Sequence, residues 1–161
     1  MSMPRIAMRL NHVAYPTFDT AETVRFYTEV MGFRLVDAVR DAIGSKRFLH
    51  TFFAMESGEI IAFFDIAGLE RPKRDHLPSW VRHLAMSVDS AETLAAWKRR
   101  LEAYGLEVAG PVDHDGVWSS IYFSDPNDVT LELTYQARPL DEADADKAAA
   151  MVAEWTARER S

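Results

Sequence analysis

The side chains best able to do chemistry in this chain are two histidines and a glutamate at matched places. His12 stands in Asn11-His12-Val13-Ala14 and His83 in Arg82-His83-Leu84-Ala85. Each is followed by the same acidic opening of a helix, Asp19-Thr20-Ala21-Glu22-Thr23-Val24 in the first case and Asp89-Ser90-Ala91-Glu92-Thr93-Leu94 in the second. A repeat of this length means two copies of one supersecondary unit, with His12 and His83 in equivalent positions. Glu132 lies in Val129-Thr130-Leu131-Glu132-Leu133, where strand alternation turns the carboxylate to the face opposite the leucines. An ionised carboxylate there is costly unless it is paired or bound to a metal. Two imidazoles and one carboxylate form the facial set that suits non-haem Fe(II), which needs open positions for substrate and O2. Mn(II) and Zn(II) accept the same donors. Aligning residues 58–63 with 127–132 puts Phe63 in the fourth slot, so three slots hold ligands and one is blank.

The elements that must position these groups read in order. Arg9 to Tyr15 alternates as a strand around His12. Asp19 with Glu22 three residues on is a capping box, and Gly32 is the expected helix stop. Phe33 to Arg40, Arg47 to Met55 and Glu59 to Ile66 read as strands, giving strand, helix, three strands over residues 8–66. Residues 67–79 form a polar linker. The second module, 80–136, repeats the pattern: a strand Trp80 to Val88, a helix capped by Asp89 and ended by Gly105, then strands Leu106 to Ala109, Val117 to Phe123 and Val129 to Tyr135. The turn Asp125-Pro126-Asn127-Asp128 joins the last two. The fold class is α+β: two tandem βαβββ modules forming a curved mixed sheet around a metal cleft, in a single domain over 1–140. Residues 141–161 add an Ala-rich helix with Met151, Val152 and Trp155 free to cover an edge or a dimer partner.

Composition sets the outer bounds. A chain of 161 residues holds one good core rather than two independent domains. The net charge of -7 argues against nucleic acid, which is gripped by clustered cations. No apolar run is long enough to span a membrane, and no secretion signal is visible, so the cytoplasm is the default. With no cysteine, any metal must be held by His and carboxylate.

These residues resemble the vicinal oxygen chelate superfamily of glyoxalase I, bleomycin-binding proteins, fosfomycin-resistance enzymes and type I extradiol dioxygenases. The resemblance covers roughly residues 8–140. It implies His12, His83 and Glu132 as ligands on the first, fifth and eighth strands. A longer stretch is similar to the dioxygenases: Val112-Asp113-His114, Ile121-Tyr122, Asp125-Pro126, then Glu132. By that resemblance His114 binds a substrate oxygen and Tyr122 steadies oxygen at the metal. The expected activity is therefore an oxidoreductase cleaving a catechol-type aromatic diol with O2, as a homodimer carrying one divalent metal per chain, Fe(II) first and Mn(II) or Zn(II) as alternatives. Phe63 and Trp118 are expected as apolar walls for the substrate. Two departures stand out: Asp128 replaces the family's usual Gly or Pro, and Glu59 stands near the place of an acid–base His. The alternatives are a fosfomycin-type thiol transferase, a glyoxalase I-like lyase in which Asp65 would have to act as a fourth ligand, and a metal-free protein that sequesters a drug or aromatic molecule.

Overall fold

A computed structural model describes residues 8–73 and 77–158, and the element order follows the sequence pattern closely. The first module contains β1 (His12–Thr17), α1 (Thr20–Arg25) running into a π-helical turn (Phe26–Val30), β2 (Arg34–Ile43), β3 (Lys46–Ala54) and β4 (Ile60–Ile66). The second contains β5 (His83–Val88), α2 (Ala91–Ala103), β6 (Ala109–His114), β7 (Trp118–Ser124) and β8 (Thr130–Gln136), with α3 (Glu142–Arg158) after it. Each module forms its own four-stranded sheet, ordered β1-β4-β3-β2 and β5-β8-β7-β6. The repeated strand order is that of two tandem modules. The strands make two sheets where the sequence suggested one curved sheet.

Local chemistry explains the boundaries. Asp19 caps α1 by accepting the Glu22 amide at 2.9 Å, as its spacing predicts. For α2 the cap is Ser90 rather than Asp89: its hydroxyl accepts from the Thr93 amide at 3.1 Å. The chain leaves the first helix through Gly32 (φ +75°) and the second through Gly105 (φ +96°). The expected strand at Leu106 to Ala109 starts later, at Ala109, where β6 takes up its pairing with β7.

By contacts the chain divides into two compact units. The first runs to His83 and also takes in Ser124–Thr130, the Asp-Pro turn. In its sheet β1 pairs with β4 in parallel, and β3 with β4 and β2 antiparallel. One sheet face carries Phe53, Ile61 and Phe63, all shut off from solvent, and Tyr27 of the π-helical turn packs on Phe63 and Phe53 at 5.0 and 5.4 Å. A polar network fixes the turn to this core. Tyr27 Oη donates to Asp125 Oδ2 at 3.0 Å, the amides of Asn127 and Val129 donate to Asp125 Oδ1, and Asn127 Nδ2 donates to Thr23 Oγ1. Burial raises the Asp125 carboxyl above its ordinary range, opposed by these donors.

The second unit comprises Leu84–Phe123 and the residues from Leu131 onward. Its core is built from Leu94 and Leu101 of α2 with Ile121, Phe123, Leu131 and Leu133. Lys98 Nζ donates to the Gly110 carbonyl, tying α2 to the start of β6. α3 buries none of its residues, leaving Met151, Val152 and Trp155 exposed.

Candidate metal centre

Strand register decides which side chains share a face. On the first sheet His12 is level with Ile60, Ile60 with Ala54, Ala62 with Phe52, and Phe64 with His50. Alternation therefore puts His12, Phe52, His50 and Phe64 on the face opposite the helix-packed core. The rings bear this out: His12 meets Phe52 edge-on at 6.2 Å, and His50 stacks on Phe64 at 3.6 Å and 18°. His12 Nδ1 lies 2.7 Å from Asn11 Oδ1.

His83, the first residue of β5, has Nδ1 3.0 Å from the Trp80 carbonyl oxygen. An oxygen of this type only accepts, so Nδ1 carries the proton and Nε2 is the lone-pair nitrogen; the same holds for His12 against the Asn11 oxygen. Both imidazoles thus have the tautomer and the outer hydrogen bond that metal-binding histidines use. On this chemistry each imidazole is suited to bind a divalent ion through Nε2. His12 and His83 fall in the first unit and Glu132 in the second. Among the described residues no three His, Asp or Glu side chains are grouped to hold a metal.

The second unit assembles the other expected site residues. His114 ends β6, Tyr122 is on β7 and Glu132 on β8, three successive strands of the sheet. His114 Nε2 is 2.9 Å from Tyr122 Oη, and the Tyr122 hydroxyl also bonds the Glu132 side chain. An ionised carboxylate only accepts, so the bonds run from His114 to Tyr122 to Glu132. Burial pushes the Tyr122 phenol up; a bond to Ser120 opposes this and Glu132 adds to it. Trp118, half-buried and level with His114, shares this face. Glu132 itself is only 7% exposed between the fully buried Leu131 and the buried Leu133.

Three expectations fail on geometry. Phe63 is fully buried, level with Tyr15 and packed on Tyr27, on the opposite side of the sheet from His12, so it forms no substrate wall. Asp65 faces the same way and accepts from Thr20 Oγ1 at 2.6 Å, which removes it as a fourth ligand. Glu59 sits in the exposed turn before β4, where the Ser57 hydroxyl bonds it and holds its carboxyl below the usual range. In the same unit Arg71 pairs with Asp128 at 2.6 Å, donates to the Pro126 carbonyl at 2.9 Å and lies over the face of Phe18. Of the other histidines, His76 lies outside the described residues. His50 was given no place by the sequence, yet it shares the His12 face. Only the β1–β4 and β3–β4 registers together, invisible without the fold, put it there.

A tandem βαβββ repeat with two matching four-stranded sheets defines the class of fold. The chain belongs to the Glyoxalase/Bleomycin resistance protein/Dioxygenase superfamily, whose model matches residues 9–133. It is 29% identical over 126 residues to metallothiol transferase FosB of Bacillus licheniformis, covering 77% of this chain and 73% of that protein. Its fold is similar to that of the fosfomycin resistance protein FosX from Listeria monocytogenes, solved with Mn(II) and sulfate (TM-score 0.59, 21% identity, 81% and 93% of the two chains). It is likewise similar to the trypanothione-dependent glyoxalase I of Leishmania major (TM-score 0.61, 17% identity, 94% and 99%). The match to FosB favours the transferase alternative over ring cleavage, and O2 and an aromatic diol are left without support. Among the described residues no helix is long and apolar enough to cross a membrane.

Proposed function

We propose that this chain is a divalent-metal-dependent transferase that adds a thiol to a small electrophile of the fosfomycin type, with His12, His83 and Glu132 as the metal ligands. The observation that carries the reading is the 29% identity to a metallothiol transferase. The family match over residues 9–133 spans all three ligands. Mn(II) is the metal to try first, given the ion in the related FosX structure. When bound, such an ion supplies Lewis-acid polarisation of a substrate oxygen.

The remaining work falls to the chain's own residues. The Asn11 oxygen and the Trp80 carbonyl hold the two imidazoles in the tautomer that presents Nε2. Tyr122, anchored by His114, donates to Glu132 and orients its carboxylate. His114 and Tyr122 together form a hydrogen-bonded chain that ends on Glu132. In the reaction the thiol S–H adds across the epoxide: an S–C bond forms, a C–O bond breaks, and the thiol proton ends on the released oxygen. We further propose that the working unit is a homodimer, as is common in the superfamily.

The test is direct. The Mn(II)-loaded protein is incubated with fosfomycin and with L-cysteine or glutathione in turn, and the products are weighed by mass spectrometry. An adduct of summed mass, formed only with metal and abolished in Glu132→Ala, is the expected result. Tight binding of fosfomycin or of an aromatic drug by the metal-free protein, with no turnover, would replace the transferase by a sequestering protein.

A further inference from the structure

Hydrogen-bonding side-chain atoms closed off from water and without a partner are rare in a folded protein, because each forfeits its bond to water and gains nothing. Among the described residues two such atoms occur, His50 Nε2 and Thr51 Oγ1. Neighbours in sequence, they lie on opposite faces of β3. Thr51 is level with Phe63 and belongs to the core side, whereas His50 is level with Phe64 and belongs to the His12 side. The His50 ring is held by two phenylalanines, stacked on Phe64 at 3.6 Å and tilted on Phe52 at 4.1 Å. Phe52 in turn meets the His12 ring. A line of rings, His12, Phe52, His50, therefore runs across this face, with a metal-ligand candidate at one end and an unused nitrogen at the other. A sheet face serving only for packing would carry a phenylalanine or leucine at position 50, with the same stacking and no orphan nitrogen.

We propose that His50 is a substrate-contact residue. Its Nε2 makes the hydrogen bond it otherwise lacks to a polar atom of a small molecule whose other end is held at the metal beside His12, while the molecule's apolar part lies over Phe52. The assignment rests on the metal-site reading above and deepens it. The ligand class is a short, bifunctional compound: an oxygen-rich end for the metal, a few carbons, and a second donor or acceptor. A turn of the half-buried ring about its Cβ–Cγ bond presents that nitrogen to the molecule.

The test uses His50→Phe, which keeps the ring stack and deletes the nitrogen. Three quantities are measured on the full chain, parent and variant: thermal midpoint, Mn(II) affinity by calorimetry, and fosfomycin affinity of the Mn(II)-loaded protein. The expected result is an unchanged or higher midpoint, Mn(II) affinity within about twofold, and fosfomycin binding weakened about tenfold, the usual cost of one lost bond. A clearly lower midpoint would mean Nε2 already has a partner in the fold and would overturn the proposal. Equal fosfomycin affinity in parent and variant would overturn it while leaving the transferase reading intact. A parent that binds Mn(II) but no fosfomycin would overturn both, so the two failures are told apart.

Discussion

Removing one hydroxyl from the core of the first unit should produce a loss of stability that grows with pH. Tyr27 is fully buried, and its hydroxyl donates to Asp125 Oδ2 at 3.0 Å. Tyr27→Phe keeps the ring contacts with Phe53 and Phe63 and removes only that donor. A hydrogen bond to a charged group contributes about 1.5–3 kcal/mol, and the same oxygen, Oδ2, still accepts from Asn127 Nδ2 at 3.3 Å, so the lower half of the range, about 1.5–2 kcal/mol, is expected. For a chain of this size that lowers the melting midpoint by about 3–8 °C. The sign of the pH dependence follows from Asp125, whose carboxyl is raised chiefly by burial. A group with a raised folded pKa contributes stability that is full below its unfolded pKa and lost as pH rises through the folded value. Losing the Tyr27 donor raises Asp125 further, because a bond that favoured the ionised form is gone. The penalty should therefore be largest near neutral pH and shrink toward about pH 4, as Asp125 takes up its proton. Denaturant melts of parent and variant at both pH values measure it. A penalty below about 0.5 kcal/mol, or one equal at both pH values, would refute the charged hydrogen bond as the anchor of the turn.

Three further predictions follow from the same kind of accounting. Asp128 sits at φ +64°, a conformation that favours glycine, and its ion pair with Arg71 is exposed; Asp128→Gly should relieve about 1 kcal/mol of backbone strain and lose about as much or less in pairing, leaving the denaturation midpoint nearly unchanged. Gly110 has φ +98°, and a Cβ there would stand 2.5 Å from the Ser120 carbonyl oxygen, so Gly110→Ala should destabilise by about 2–4 kcal/mol in a chemical melt. Tyr122→Phe removes the donor to Glu132; the expected outcome is Mn(II) binding weakened about 10–100-fold by calorimetry with little change in the melting midpoint, since this is an orienting bond to a ligand.

The tandem repeat made the fold legible because each copy carries its own start and stop signals: a capping acid before the helix, a glycine after it, and alternation in the strands. Errors came where two readings differ by one residue. Aligning Phe63 with Glu132 looked sound along the chain, but a one-residue slip in a strand moves a side chain to the other face, and Phe63 landed in the core. Asp89 and Ser90 both cap well, and only the backbone position of Thr93 selects Ser90. Trp118, His114, Tyr122 and Glu132 lie close in space because they sit on neighbouring strands of one sheet. His50 could not be placed from the sequence, since its position depends on two strand registers at once. The Asp-Pro turn was read only as a turn; its role as a buried anchor for Tyr27 depends on a contact between residues far apart in the chain.

The most direct test of the central claim is elemental metal analysis of the protein after loading with Mn(II), Fe(II) or Zn(II) and removal of excess, with His12→Ala, His83→Ala and Glu132→Ala treated alongside. The account predicts about one ion per chain in the parent and loss of stoichiometric binding in each variant. A parent that holds no stoichiometric metal under any of the three conditions, or variants that retain it undiminished, would contradict the His12, His83 and Glu132 centre.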